Sequence, residues 1–375
     1  MPEPFKNLIH RGTVADLGRH LGRTAAGFDA ARFAALADGL EALEFKGRAQ
    51  HLAAALVQTL PQDFDAAAAA IEAALGPPGD GHEGATSPTG DAGLGGWAVW
   101  PLAEFVALRG LAHPQRALAT LHALTQRFTA EWAIRPFLER HPALVLETLA
   151  RWTRDPSAHV RRLVSEGSRP RLPWGLQLKA LIADPAPTLP LLAALQDDPS
   201  PYVRRSVANH LNDIAKDHPA VVARWLAEHL PGASAERRAL LRHASRTLIK
   251  RGDAAVLKAW GIGKPLTGEA TLRVSPRRLR VGESFTLEAT LRSDASRAQT
   301  LVVDYAVHHV KASGVASPKV FKGWNTTLAP HTTLALAKRH SMRPITTRTY
   351  HAGRHEVDLR VNGQIVAQAF FDLKL

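Results

Sequence analysis

The chain has 375 residues, a mean hydropathy of −0.13 and a formal net charge of +13 at pH 7. It contains no cysteine, which excludes disulfide bonds, thiolate zinc sites and a cysteine nucleophile. The first 130 residues carry 10 basic against 13 acidic residues, whereas residues 131–264 and 265–375 each carry an excess of +8. This segregated charge indicates a polyanionic partner and favours nucleic acid over an anionic membrane surface.

Residues 1–76 are rich in alanine and leucine at helical spacing. Apolar residues three and four apart predict one stripe of an amphipathic helix, formed by Phe33, Leu36, Leu40 and Leu43. The opening MPEPFKNLIHRG lacks the pattern of a signal peptide, and no apolar run approaches the ~18 residues of a membrane-spanning helix. We therefore expect a cytoplasmic protein without a membrane partner.

The segment 77–96, PPGDGHEGATSPTGDAGLGG, interrupts the helical pattern. Its content of Gly, Pro, Ser and Thr predicts a flexible surface loop. It contains a glycine run at Gly93, Gly95 and Gly96, but no strand precedes this run. A dinucleotide-binding loop is therefore not expected, and the segment is interpreted as a linker.

Helical spacing resumes from about Trp97 to Gly261 and contains an internal repeat. DPSAHVRR at 155–162 recurs as DPSPYVRR at 198–205, an offset of 43 residues, and a weaker third copy spans 235–253. A period of about 40 to 47 residues with two helices per unit is typical of HEAT repeats. The sequence therefore predicts an α-solenoid, in which stacked repeats form one concave face.

The repeat motif also predicts its local structure. The Asp and Ser side chains are expected to cap the helix N-terminus, and the valine is expected to point into the core. The arginine pair is expected to lie toward the surface, so that stacked copies form a basic stripe. The residues concerned are Asp155, Asp198, Ser157, Ser200, Val160, Val203, the pairs 161–162 and 204–205, and Arg237 with Arg238 in the third copy.

From about Pro265 the apolar residues alternate with polar ones, which is typical of strands. Two such runs are Phe285, Leu287, Ala289 and Leu291, and Leu301, Val303, Tyr305 and Val307. HEVDLRV and QIVAQAFFDL flank Asn362-Gly363, which predicts a type I′ hairpin. We expect a multidomain α + β protein, with a HEAT-like domain at 1–264 and an immunoglobulin-like β-sandwich at 265–375.

Three segments of the repeat region combine acidic and basic residues. In FTAEWAIRPFLERHP, Glu131 and Arg135 are four apart and are expected on one helix face. In HVRRLVSEGSRPRLPW, Glu166 follows Arg162 by four residues, and in YVRRSVANHLNDIAKDHP, Arg205, Asn209 and Asp213 form one helical stripe. Such spacing is usually that of ordinary solvated ion pairs. However, carboxylates repel a phosphate backbone, so their place in the most basic stretch favours a catalytic role.

Other chemistries find little support in the sequence. The chain has 18 histidines but no HExxH pattern, and His351 and His355 fall in a predicted strand region, where a spacing of four does not share one face. The run GSRPRL lacks the Walker pattern, and no nucleophile elbow is visible. We expect no metal and no cofactor.

The same segments resemble the AlkC family of DNA alkylation repair glycosylases, which belongs to the HEAT-like repeat glycosylases. The similarity covers MPEPFKNLI, EWAIRPFL, VRRLVSEGSRPRLPW and SPYVRRSVANHLNDIAKDHP, and, in an immunoglobulin-like domain that some members carry, SGVASPKVFKGW and HSMRPITTRTYHAGRHEVDLRVNG. The loop at 77–96 stands outside it as an insertion.

The resemblance implies a monofunctional DNA glycosylase of base excision repair. It implies excision of 3-methylcytosine and 3-methyladenine from double-stranded DNA, with a catalytic trio at Glu131, Glu166 and Asp213. It also implies an approach to the lesion in bent DNA without a deep base-flipping pocket, a point that the sequence does not decide.

Candidate DNA contacts are the basic residues around the trio and on the loops of the C-terminal domain. They are Arg162, Arg169, Arg171, Arg204, Arg205, Lys319, Lys322, Arg343 and Arg348, with Trp174 as an aromatic residue near the lesion. We expect a monomer that binds double-stranded DNA containing alkylated bases. Two alternatives remain open, a non-catalytic DNA-binding scaffold and a HEAT-type module that binds an acidic protein.

Overall fold

The computed structural model describes residues 4–81, 88–262, 264–345 and 348–375. By internal contacts the chain divides into a helical unit, Met1–His218 with Ala233–Ala244, and a sandwich unit, Pro219–Gly232 with Ser245–Leu375. Residues 1–3 of the N-terminal motif, 82–87 of the predicted loop and 346–347 of the C-terminal motif lie outside the described residues. The boundary at 264/265 remains a prediction; the division by contacts also assigns residues 219–232 and 245–264 to the sandwich unit.

Thirteen α-helices are described in the helical unit. They are α1 (Arg11–Thr24), α2 (Ala30–Leu36), α3 (Phe45–Thr59), α4 (Phe64–Ala73), α5 (Val99–Arg109), α6 (Pro114–Thr125), α7 (Arg135–Arg140), α8 (Pro142–Trp152), α9 (Ala158–Gly167), α10 (Lys179–Ala183), α11 (Leu189–Leu195), α12 (Pro201–Asp217) and α14 (Ala235–Ala244). Helices α13 (Pro219–His229), α15 (Arg246–Arg251) and α16 (Ala254–Ala259) belong to the sandwich unit. No described helix is long and apolar enough to cross a membrane.

The predicted apolar stripe near the N-terminus is divided between two short elements. Helix α2 ends at Leu36, and Gly39 has φ 82°, a left-handed conformation that favours glycine. Phe33 and Leu40 are nevertheless both buried. The spacing thus identified core residues correctly, whereas the prediction of one continuous helix was wrong because Gly39 reverses the backbone.

The described ends of the loop at 77–96 are tied to the helical unit. Leu94 is buried, its N–H donates to Ala74 O at 2.8 Å, and its carbonyl accepts from Gly76 N at 2.9 Å. Farther along, Gly79 N donates to Gln126 O at 2.9 Å. These bonds anchor both ends of the segment that the sequence identified as a linker.

The repeated motif opens α9 and α12 in the same way. Asp155 accepts a hydrogen bond from Ser157 N at 2.8 Å, and Asp198 accepts one from Ser200 N at the same distance. The two serines occupy the N-cap positions but make no capping bond with their side chains, so the expected serine caps are not formed. The turn is instead closed by the aspartates, whose side chains mimic a backbone turn.

The core valines of the motif are fully buried, as predicted, but the first arginine of each pair turns back onto its own helix start. Arg161 Nη1 donates to Asp155 O and Pro156 O at 2.8 and 2.9 Å. Arg204 Nη1 repeats this pattern on Asp198 O and Pro199 O at 2.6 and 2.9 Å. The buried valines are Val160 and Val203. These arginines therefore stabilise the turns and do not form an open basic stripe.

The described part of the sandwich unit contains eight strands in two sheets. The strands are β1 (Gly268–Ser275), β2 (Arg278–Arg280), β3 (Ser284–Ser293), β4 (Gln299–Val310), β5 (Ala316–Leu328), β6 (Thr333–Ser341), β7 (Gly353–Val361) and β8 (Gln364–Lys374). One sheet has the order β1-β3-β6, and the other has the order β2-β8-β7-β4-β5. Neighbouring strands are antiparallel apart from β2 and β8. The alternating residues predicted on β3 and β4 are all buried, which confirms the strand prediction.

The hairpin between β7 and β8 confirms the predicted turn. Asn362 has φ 50° and Gly363 has φ 81°, and a type I′ turn requires positive φ at both central residues. Asn362 also uses its side chain, which accepts from Val302 N at 2.9 Å and donates to Lys264 O at 2.8 Å. The turn is therefore fixed by backbone conformation and by side-chain bonds.

Candidate active site

Three buried carboxylates from three separate elements come together in the helical unit. Glu131 lies in the turn before α7, Glu166 lies near the end of α9, and Asp213 lies on α12. Asp213 is only 1% exposed. Because burial of a charged carboxylate is costly without compensation, each of these groups requires cations or hydrogen-bond donors close by.

Arg162 supplies that compensation to the first two carboxylates. Its Nη1 donates to Glu131 Oε2, and its Nη2 lies 3.7 Å from Glu166 Oε1. The guanidinium also lies over the ring of Tyr202, 5.0 Å from the centroid. Thr129 Oγ1 donates to Glu131 Oε2 at 2.5 Å. Arg162 is thus a half-buried counter-ion of two carboxylates, and DNA contact by it remains a prediction.

Arg169 links the second carboxylate to the third. Its Nη1 donates to Glu166 Oε1 at 2.6 Å, and its Nε donates to Asp213 Oδ2 at 2.8 Å. Lys216 Nζ donates to the other oxygen of Asp213, Oδ1, at 2.7 Å. The six side chains form an alternating series that we call the ion-pair row: Glu131, Arg162, Glu166, Arg169, Asp213 and Lys216.

The contacts within the ion-pair row keep Glu166, Arg162 and Arg169 ionised. Burial acts to raise the pKa of Glu166, but Arg162, Arg169 and the Ser206 hydroxyl bond at 2.5 Å hold that pKa below its ordinary value. Burial acts in the opposite direction on the two arginines, yet their carboxylate neighbours raise the pKa of each. The charges are therefore in place before any ligand arrives.

His210 lies beside the row on α12 and is buried. Burial lowers its pKa to about 4, so the ring is neutral at pH 7. Its Nδ1 bonds to Ser165 O at 2.9 Å, while its Nε2 has no hydrogen-bond partner within the described residues. The histidine adds no positive charge to the ion-pair row at neutral pH.

Arg135 does not pair with Glu131, which corrects the predicted helical salt bridge. Helix α7 begins at Arg135, with a proline in its first turn, so Glu131 lies outside the helix and the spacing of four does not apply. The buried Arg135 guanidinium donates instead to four backbone carbonyls between 2.5 and 3.4 Å: those of Gly167, Arg169, Pro170 and Leu176. Arg135 therefore shapes the loop after α9.

That loop presents Trp174 to solvent. The indole is 64% exposed, and the residue has φ 61°, a strained conformation for a non-glycine residue. Lys46 Nζ donates to Trp174 O at 2.9 Å, and the Phe45 ring meets the indole edge-on with centroids 6.3 Å apart. The loop that contributes Arg169 to the row thus also holds an exposed aromatic side chain.

The other predicted DNA-contact residues of the helical unit lie nearer the surface. Arg171 forms a two-pronged pair with Asp217 at 2.7 and 2.9 Å, and this contact raises the pKa of Arg171. Arg204 and Arg205 line a groove of about 390 Å³ that also includes His243. Arg205 is exposed, Arg171 and Arg204 are half-buried, and DNA contact by these three arginines remains a prediction.

The candidates of the C-terminal domain differ in their surroundings. Lys319 and Lys322 are exposed on β5, and Arg343 is exposed just after β6. Arg348 is half-buried, and its Nη1 donates to His309 Nε2 at 2.9 Å. Three of the four side chains are therefore available to a ligand, whereas Arg348 has a structural contact.

The sequence interpretation missed the hydroxyl donors and gave Lys216 little weight. Thr129 lies two residues before Glu131, and Ser206 lies seven residues before Asp213 on one face of α12. Lys216 follows Asp213 by three residues, a spacing that brings helical side chains together. Helical periodicity could have identified Ser206 and Lys216, whereas Thr129 required the fold. Among the described residues, no three His, Asp or Glu side chains are grouped as a metal site.

Comparison with known proteins places this geometry in context. Residues 128–248 match a family model described as DNA alkylation repair enzyme, and residues 269–375 match one described as the C-terminal Ig-like domain of the uncharacterised protein YhaZ. The uncharacterized protein YhaZ of Bacillus subtilis is 34% identical over 365 residues, which cover 96% of this chain and 97% of the relative. The alkylpurine DNA glycosylase AlkC of Pseudomonas fluorescens, solved bound to DNA containing an abasic site analog, is 32% identical over 100% of both chains, with a TM-score of 0.88.

Proposed function

The chain belongs to the AlkC family of DNA alkylation repair glycosylases, and from this membership we propose that it excises cationic N3-methylated bases from double-stranded DNA by hydrolysis. The substrates are 3-methyladenine and 3-methylcytosine. The relative from Pseudomonas fluorescens binds DNA containing an abasic site analog, which is the chemical state of the DNA after a base has been removed. This supports an interaction of the present chain with duplex DNA.

The reaction does not need a strong general acid. A base methylated at N3 carries positive charge, so it leaves readily without further protonation. As the glycosidic bond breaks, positive charge develops on the sugar. A fixed carboxylate stabilises that oxocarbenium-like state and can orient the attacking water, as carboxylates do in glycosidases.

The observation that carries the proposal is the grouping of three buried carboxylates in the ion-pair row. Glu131, Glu166 and Asp213 belong to three elements and are joined through two arginines. A chain that only bound phosphate would be weakened by acidic groups at its binding surface. We assign Asp213 to the sugar and the water, and Glu131 and Glu166 to the cationic base.

The exposed groups around the row would hold the duplex. Trp174 offers an exposed aromatic surface beside the row, and Arg171, Arg204 and Arg205 offer guanidinium groups for phosphates. In the C-terminal domain, exposed candidates for phosphate contact are Lys319, Lys322 and Arg343. Arg162 and Arg169 instead act as counter-ions of the carboxylates in the row.

The test is release of free base from methylated duplex DNA, identified by mass spectrometry under single-turnover conditions. The D213N variant keeps the shape of the side chain and removes its charge. We expect it to lose about 10²-fold or more in rate while it still binds duplex. The matched control is E147Q, because Glu147 is an exposed acid on α8 that pairs with Arg151. Full activity of D213N, or binding without release by the wild type, would overturn the proposal.

The hydrolytic mechanism has its own test. A lyase would form an imine between a lysine and the sugar, which borohydride reduces to a stable adduct. We expect no such adduct with methylated duplex, because the proposed nucleophile is water. A trapped covalent protein–DNA species that disappears in a lysine variant would replace hydrolysis by a lyase mechanism.

A further inference from the structure

Both oxygens of Asp213 are covered by cations in the DNA-free protein. Arg169 covers Oδ2 and Lys216 covers Oδ1. The side chain of Lys216 is 39% exposed, compared with 9% for Arg169 and 2% for Asp213. Lys216 is thus the cation of this pair that faces solvent, and it lies between solvent and the carboxylate.

This arrangement conflicts with the chemistry proposed for Asp213. A carboxylate whose charge is balanced on both sides attracts a sugar cation weakly, because the neighbouring cations repel that sugar. One of the two cations must therefore move when the reaction takes place. The arrangement of the row decides which one.

Arg169 is held at two points, Glu166 and Asp213, so its departure would leave two buried carboxylates without that partner. The ammonium of Lys216 is carried by a flexible four-carbon side chain on the exposed side of α12. Such a group moves readily from one anion to another. A duplex at this surface supplies phosphates at close spacing. Lys216 is therefore the cation that can leave.

We propose that Lys216 is a retractable counter-ion of Asp213. In the free protein its ammonium pairs with Asp213 Oδ1, and on duplex binding it transfers to a backbone phosphate and uncovers that oxygen. The inference rests on the proposed function, since it requires duplex DNA at the ion-pair row. Asp213 then loses one of its two cations only when a substrate is present, while Arg169 stays on Oδ2. Lys216 acts as a positioning residue.

A double-mutant cycle on DNA affinity tests the transfer. The four proteins are wild type, K216M, D213N and the double variant, and the probe is a duplex with a non-cleavable abasic-site analogue. In the wild type, the loss of the Lys216–Asp213 ion pair offsets part of the favourable free energy of the new phosphate contact. We expect K216M to weaken affinity about threefold beside Asp213 but about tenfold in the D213N background. Equal losses in the two backgrounds would overturn the proposal.

The salt dependence of duplex binding gives a second test of the transfer. A lysine that reaches one phosphate contributes about 0.9 to the slope of log affinity against log salt, so the slope of K216M becomes shallower by that amount. The matched control is K6M, because Lys6 also pairs with a carboxylate, Glu44, at 3.0 Å. K6M keeps the wild-type slope. An unchanged slope in K216M would show that the ammonium stays on Asp213.

Kinetics separate this role from a purely structural one. With methylated duplex, K216M raises KM by a larger factor than it lowers kcat, because the lost contact is mainly one of binding. A larger fall in kcat than rise in KM would contradict retraction. If the wild type releases base but the cycle is additive, only this inference fails. If the wild type binds no duplex, the proposed function fails as well.

Discussion

Arg169 is the residue on which the stability of the ion-pair row depends most. It donates to two buried carboxylates, Glu166 and Asp213, and its own side chain is 9% exposed. Removal of one partner from a buried pair leaves an unsatisfied charge in a medium of low polarity. Here one substitution would deprive two acids of a donor at once.

We therefore expect R169M to destabilise the protein by about 3–5 kcal/mol. The control is R151M on α8, since Arg151 pairs with Glu147 in an exposed contact whose loss costs about 0.3–0.5 kcal/mol. Chemical denaturation followed by circular dichroism measures both. Equal effects of the two substitutions would show that the row is solvated and that its charges do not depend on one another.

The site shows how far residue spacing predicts contacts. The spacing of four between Arg162 and Glu166 corresponds to a real approach of 3.7 Å on α9. The equal spacing between Glu131 and Arg135 does not, because a helix begins only at the second of them. Two other bonds of the row join residues 31 and 44 positions apart. Such pairs depend on how the helices stack, which spacing within one helix does not reveal.

At the scale of elements, the aspartate of the repeat motif joins neighbouring helices. Asp198, in the turn before α12, accepts from Arg161 of α9 at 2.6 and 3.0 Å as well as from Ser200 N. This hydrogen bond to Asp198 raises the pKa of Arg161. In the first copy, Asp155 meets His122 at 2.7 Å, so the same residue has a different partner.

The difference between the two copies predicts unequal effects of the same substitution. D198N removes the charge opposite a buried arginine and should destabilise the protein by about 3 kcal/mol or more. In D155N the amide oxygen can still accept the hydrogen bond of the turn, and the amide group remains a neutral hydrogen-bond partner for His122. We expect this variant to lose about 1 kcal/mol of stability. Thermal unfolding at pH 8 compares the two variants. A larger loss in D155N would show that the Asp198–Arg161 pair does not hold α9 to α12.

Elements with strong local signals were predictable from the sequence, whereas their irregularities were not. The 43-residue offset identified the starts of α9 and α12, and Asn362-Gly363 identified the hairpin, because those signals lie within a few residues. The burial of Leu94 involves backbone bonds to Ala74 and Gly76, about 20 residues away, and the left-handed backbone of Gly39 interrupts a spacing that otherwise continues through it. Local propensity carries no information about such contacts.

At the scale of the whole chain, net charge indicates the class of partner but not the residues that meet it. The region 131–264 carries an excess of +8, yet Arg162 and Arg169 are counter-ions of the buried carboxylates. The excess must therefore reside on other basic side chains. Composition alone could not make this assignment, because it requires knowing which arginines have acidic partners.

Acid is expected to destabilise the sandwich unit, because this unit buries several neutral histidines. Burial lowers the pKa of His309 to about 3, with a further contribution from Arg348, and lowers that of His340 to about 4. Burial also lowers the pKa of His355. Arg348 donates to His309 Nε2, and the ring of His340 shares a hydrogen bond of 3.0 Å with the Tyr305 hydroxyl.

These shifts fix the direction of the pH dependence. A histidine in the unfolded chain has a pKa of about 6.5. Below that pH the unfolded state binds protons, whereas the buried histidines of the folded state stay neutral because their pKa values are lower. The stability from the neutral rings is complete above pH 6.5 and is lost as the pH falls toward 4, by about 1.4 kcal/mol per pH unit for each histidine.

Urea unfolding at pH 7.5, 6 and 5 measures the slope of the unfolding free energy against pH. The double variant H340F/Y305F removes one titrating ring together with its hydroxyl partner and should flatten the slope by one histidine, while H331N, at an exposed loop position, should not. An unaltered slope in the double variant would mean that His340 is protonated within the fold.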